Sequence, residues 1–135
     1  MSVTYTSANK ILDLQYGGTS FVTPGTWYVG LSTSVIAIDG TGATEPSGGA
    51  YARVAVTNNK TNFGTASNGS LTNSVAITFP ESTASWGTIT YVAFYDAATS
   101  GNIWYFEALP SAKVVASNTT LLFSVGALTV TMNNS

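Results

Sequence analysis

Apolar residues along this chain recur mostly at every second position, in short runs separated by Gly, Pro, Asn and Ser. Thr26 to Ser32 sets Trp27, Val29 and Leu31 against Tyr28, Gly30 and Ser32, the alternation of a half-buried strand. Tyr51 to Thr57 places Ala52, Val54 and Val56 opposite Tyr51, Arg53 and Ala55. Val75, Ile77 and Phe79 mark a further strand, halted by Pro80. Ile89 to Tyr95 and Ile103 to Leu109 carry large residues at odd and even positions alike, which predicts strands covered on both faces. Leu121 to Val125 and Ala127 to Met132 complete the set, with Gly126 as a bend or bulge between them.

One segment follows a helical period. Ser7 can cap a helix over Ala8 to Tyr16, with Gly17 as its left-handed terminator. Two turns are not stable alone, so this helix must lie on its own sheet or on a neighbouring subunit. A Gly/Thr-rich loop runs from Ala37 to Ala50, and Asn58 to Ser70 reads as a polar loop or hairpin tip. The pattern predicts an all-β fold, an antiparallel β-sandwich of jelly-roll type with one short N-terminal helix. Residues 1–135 form one domain in this reading, with 1–25 as a helix and arm segment. Its expected core includes Val29, Leu31, Val54, Val56, Ile77, Val92, Phe94, Phe123 and Val130.

Charge changes the picture from fold to function. Only 7% of residues are charged, against about 25% in an ordinary domain, and six carboxylates and four bases lie scattered singly. Such a chain offers no electrostatic footprint for nucleic acid or an anionic membrane. No run approaches the ~18 apolar residues of a membrane span, and the opening MSVTYTSANK lacks the pattern of a signal peptide. Weak charge also gives a free monomer little protection against self-association, which points to life inside an assembly.

Histidine and cysteine are both absent, which removes the commonest general base, nucleophile and metal ligands. No phosphate-binding glycine motif or clustered-oxygen calcium loop occurs, so neither cofactor nor metal is expected. A carboxylate pair could be drawn only from Asp13, Asp39, Glu45, Glu81, Asp96 and Glu107. Most of these read as solvated turn residues; Glu107, on a strand between aromatics, is expected to pair with a base such as Arg53. The sequons at Asn59, Asn68 and Asn118 fit chance in so Asn-, Ser- and Thr-rich a chain. The chain is therefore read as a non-enzyme whose candidate contact residues are Trp86, Tyr16, Ile11, Glu45 and Pro46, drawn from the N-terminal segment and the loops.

Several blocks carry a resemblance. The helix-to-strand block ILDLQYGGTSFVTPGTWYVGLSTS, the segment EPSGGAYARVAV, the long block FPESTASWGTITYVAFYDAATSGNIWYFEAL and the closing FSVGALTVTM occur in one order. Together they resemble a family of small tailed-phage virion proteins, over roughly residues 8–132. The chain departs from that family in lacking a His near Tyr91 and in a longer loop over Val35 to Gly42. The resemblance implies a virion structural protein made in the host cytoplasm, without catalytic residues. The preferred expectation is a capsid cement protein, acting as a trimer, that bridges major capsid subunits or other virion proteins and stabilises the assembled shell. The alternative is a tail-fibre or adhesion domain that binds host-surface glycans through its aromatics, and a carbohydrate-binding module ranks third.

Overall fold

The computed structural model describes residues 1–132, so the last three positions of the expected domain lie outside the described residues. The elements run β1 (Ser2–Val3), α1 (Tyr5–Gly17), β2 (Thr26–Ser32), β3 (Val54–Thr57), α2 (Lys60–Phe63), β4 (Ser70–Thr72), β5 (Ile77–Thr78), β6 (Gly87–Tyr95), β7 (Ile103–Val115), β8 (Leu122–Phe123) and β9 (Thr129–Thr131). The fold is an all-β sandwich with antiparallel pairing throughout and one short N-terminal helix besides the single turn of α2.

One layer is a five-stranded sheet in the order β1-β7-β6-β2-β3. The other consists of two ribbons, β4-β9 and β5-β8. Between them lies the main core, where Val29, Leu31, Val56, Ile89, Val92, Phe94 and Val115 of the large sheet meet Ile77, Phe79 and Leu128. Every residue of the expected core lies in this cluster, with Val54, Phe123 and Val130 only partly buried at its margin. The opposite face of the sheet is covered as well. Ala93, Tyr95, Ile103 and Phe106 pack there with Ile36 from the loop after β2, so β6 and β7 need apolar residues at both parities. A register shift between Ile89 and Tyr91 puts Ile89 and Val92 on the same face although they are three positions apart.

Several boundaries differ from the sequence expectation. The helix starts one turn earlier, with Thr4 rather than Ser7 at its N-cap and Gly18 (φ 64°) rather than Gly17 as its left-handed terminator. Tertiary bonds explain the shift: the Thr4 amide donates to the Trp104 carbonyl, and its hydroxyl donates to Ile103 at 2.7 Å. Ser7 is thereby drawn inside the helix and buried, its hydroxyl without a partner among the described residues. The polar stretch after β3 contains α2, capped by the Asn59 side chain, which accepts from the Asn62 amide. Strand β7 continues beyond Leu109 to Val115, because Leu109–Ala112 bulge out of register and pairing with β6 resumes at Lys113.

Candidate interaction surface

A densely connected polar group forms where the loop after β2 returns to the sheet. Glu45 and Arg53 flank the turn at Gly48 and Gly49, both of which take positive φ. That reversal brings the two side chains into a two-pronged pair, with Arg53 Nε 2.9 Å from Glu45 Oε1 and Nη2 2.8 Å from Oε2. Arg53 Nη1 donates to the carbonyls of Ala97 and Ser100, each at 2.7 Å. The Tyr51 hydroxyl donates to Glu45 Oε1 at 2.6 Å and accepts from the Leu31 amide at 2.9 Å. Gly30 leaves room for the cluster: a Cβ there would stand 2.8 Å from both Glu45 Oε1 and the Tyr95 ring.

The electrostatics follow from this closure. Burial pushes the Glu45 carboxyl up, but hydrogen bonds from Arg53 and Tyr51 outweigh it and hold the group below the usual glutamate range. Burial, and then the Glu45 charge, push the Tyr95 phenol up to about 12. Arg53 has spent its guanidinium on Glu45, two carbonyls and the face of Tyr95. The cluster is chemically a clamp, joining the 45–53 segment to β2, β6 and the 97–100 turn.

The expected pairing of Arg53 with Glu107 does not form. Two strands, β6 and β2, separate β7 from β3, so the side chains cannot meet. Glu107 instead lies 3.7 Å from the amino group of Met1. Its own burial raises the carboxyl above its ordinary value, and the Met1 charge offsets only part of that. Among the described residues, no group of three or more His, Cys, Asp or Glu could hold a metal ion. No described helix is long and apolar enough to cross a membrane.

The sequence-derived contact residues fall in three different settings. Trp86 is only 4% exposed; its ring meets Tyr51 edge-on at 5.3 Å, and its indole N–H donates to the Gly49 carbonyl at 2.8 Å. It presents no open face for stacking. Glu45 belongs to the clamp, and Pro46 beside it is half-buried. Ile11 is half-buried on the same side of α1 as Ser7, whereas Tyr16 stands 84% exposed at the helix end.

Tyr16 is part of a larger exposed apolar region. Tyr5 and Leu12, seven residues apart on α1, share its outer stripe and are 54% and 52% exposed. Ile38 adjoins them, because the Tyr5 amide donates to its carbonyl at 3.0 Å, and Val35 is exposed nearby in the chain. The loop that carries these residues is well ordered by its own bonds. Ser32 Oγ accepts from the Thr44 amide at 2.9 Å, and the Thr33 amide donates to Thr44 at 2.9 Å. An ordered surface with contiguous exposed apolar side chains is the usual mark of a contact site. Sequence reasoning places contacts in the N-terminal segment through Tyr16 and in the loop from Ala37 to Gly49 without singling out Tyr5, Leu12 or Ile38; the seven-residue spacing of Tyr5 and Leu12 was the available signal for the first two.

Comparison with known proteins supplies the remaining finding. Residues 2–131 match the model of a family described as podophage GP4 fiber I protein gp80. No curated protein matches the chain.

Proposed function

The chain belongs to the podophage GP4 fiber I protein gp80 family, and from that footing we propose that it is a fibre subunit of the virion that works by contact and performs no chemistry. The observation that carries this reading is the extent of the match, residues 2–131, to a family whose description names a fiber protein. That description favours the fibre alternative over the capsid-cement expectation. The coarser conclusion, a phage virion structural protein, is common to both.

The side chains support a contact role. The bases and carboxylates with defined partners are spent within the fold, as in the Glu45–Arg53 clamp and the Glu107–Met1 pair. What the surface offers to another molecule is apolar and aromatic, concentrated on α1 and the adjoining loop. In this reading the outer stripe of α1 and residues 37–49 meet neighbouring subunits. Each contact is weak singly and gains from repetition along a fibre.

Labelled antibody applied to intact virions, with the copy number measured by quantitative mass spectrometry, tests the proposal. Label confined to fibres at a low copy number is expected. Uniform label over the heads, with a copy number that tracks the major capsid protein, would overturn the fibre reading in favour of cement.

A further inference from the structure

At one end of the sandwich the two layers do not close. A pocket of about 190 Å³ remains there, walled by Trp27, Phe63, Phe94, Tyr105, Leu71 and Val130. Larger hollows exist elsewhere on the surface, but four of the seven residues lining this one are aromatic. Apolar cavities of about 150 Å³ hold a benzene ring, which makes one six-membered aromatic ring the natural occupant by size. The walls suit it as well. Trp27 meets Tyr105 edge-on at 6.2 Å, and Phe63 meets Phe94 edge-on at 6.1 Å, the geometry in which a further ring can be added.

The lining includes one polar acceptor, and a cation follows it closely in the chain. Asn58 lines the pocket, and its side-chain amide donates to the Pro24 carbonyl at 2.8 Å. Its side-chain carbonyl has no partner among the described residues and can accept from a phenol hydroxyl. Lys60, two residues on, is exposed and makes no ion pair among the described residues. An occupant that combines a phenol ring with a nearby carboxylate would satisfy both.

This chain displays such a group. Tyr16 is its most exposed aromatic residue, and Asp13, one helical turn earlier, is exposed and likewise without an ion-pair partner among the described residues. We propose that the aromatic pocket receives the Tyr16 ring of a second copy of this chain, with that copy's Asp13 against Lys60, which stands one turn of α2 before the pocket residue Phe63. The inference rests on the reading of the chain as an assembling subunit and names the contact. Made in one direction, knob into hole, the contact is heterologous and builds rings or open filaments; made reciprocally, it closes a two-fold dimer.

Analytical ultracentrifugation of the full chain tests it. Wild type should self-associate, and Tyr16→Ala should weaken association by about tenfold or more, the loss expected of an anchoring aromatic. Leu71→Trp and Val130→Phe, which fill the pocket, should do the same. Asp13→Lys and Lys60→Asp should each weaken association, and the double reversal should restore it. In Tyr16→Ala, p-cresol should bind saturably and shift the Trp27 indole NMR signal. A monomeric wild type, undiminished association in Tyr16→Ala or in both pocket-filling variants, a double reversal no better than the singles, or no p-cresol binding would each overturn the contact. Virion labelling reads the fibre assignment separately: label on fibres with failed association removes this contact alone, and label on heads with intact association removes the fibre reading alone.

Discussion

The Arg53 guanidinium lies over the Tyr95 ring, its central carbon 3.4 Å from the ring centroid, while its edge closes on Glu45. A guanidinium stacked on one side and fork-paired on its edge is held in a single orientation. That orientation fixes the 45–53 segment relative to β6 and the 97–100 turn. The Arg53 side chain is only 6% exposed, which makes removal of its partner costly.

Acid should therefore loosen the molecule through Glu45. Its carboxyl titrates below the ordinary value of 4.5, so its stabilising contribution is complete above that value and drains away as pH falls through the folded-state pKa. Glu107 acts with the opposite sign, because its raised pKa means that the folded form favours the protonated state, at a cost that develops as pH rises past its ordinary value. Thermal unfolding between about pH 5 and about pH 3 should show a flatter acid limb in Glu45→Gln and a steeper one in Glu107→Gln than in wild type. Parallel profiles for all three proteins would show that the clamp carries no linkage.

Gly30 should tolerate nothing larger. An alanine Cβ would come within 2.8 Å of Glu45 and Tyr95 and 3.2 Å of the Tyr51 hydroxyl, and those three groups hold one another in place. Gly30→Ala should cost about 1–3 kcal/mol in urea unfolding, the range for overpacking a fixed site. In a Glu45→Ala background the obstacle is smaller, so the same substitution should cost less. Equal costs in both backgrounds would place the strain elsewhere.

These contacts also mark where the sequence stops being informative. Alternation located β2 at its observed bounds, because a half-buried strand repeats every two residues. It extended β3 too early, to Tyr51, since Tyr51 and Arg53 look like strand residues but are committed to the clamp. Glu107, on a strand between aromatics, calls for a base such as Arg53; the actual partner of Arg53 lies eight residues away, across two glycines that reverse the chain. Trp86 looked like a loop aromatic free to bind. It is buried because the loop carrying Gly49 folds back over it, a long-range contact that no local pattern encodes.

Trp86 should behave accordingly as a core residue. Trp86→Ala removes a ring that packs against Tyr51 and Phe79 and takes from the Gly49 carbonyl one of its two donors, the Thr83 amide remaining. A loss of about 3–5 kcal/mol is expected. Trp86→Phe keeps much of the packing and should lose only the smaller share due to the hydrogen bond, about 1–2 kcal/mol. Chemical denaturation of the two variants separates the contributions. A fully stable Trp86→Ala protein would return this residue to the list of surface contacts.

Asn73 offers the sharpest test of how the second layer is held. It is 2% exposed and lies between the ribbons. Its amide nitrogen donates to the carbonyls of Val75 (2.8 Å) and Ser124 (3.0 Å), and its side-chain oxygen accepts from the Leu128 amide at 3.0 Å. Its backbone carbonyl also accepts from the Gly126 amide at 2.8 Å. Only a side chain with both a donor and an acceptor fits, and aspartate of nearly the same shape does not. Asn73→Asp would set a carboxylate oxygen against two carbonyl oxygens in a buried site, which disfavours the charged form. Asn73→Ala should cost about 2–4 kcal/mol through unpaired buried groups, and Asn73→Asp more than that near neutral pH. The folded-state pKa of the new carboxyl should be raised, so the aspartate variant should regain stability relative to the alanine variant as pH falls, once the protonated acid can donate one bond. Denaturant midpoints measured for both variants at neutral and acid pH decide the matter. An aspartate variant as stable as the alanine one near neutral pH, or a gap between them that does not narrow in acid, would show that Asn73 does not join the ribbons in this way.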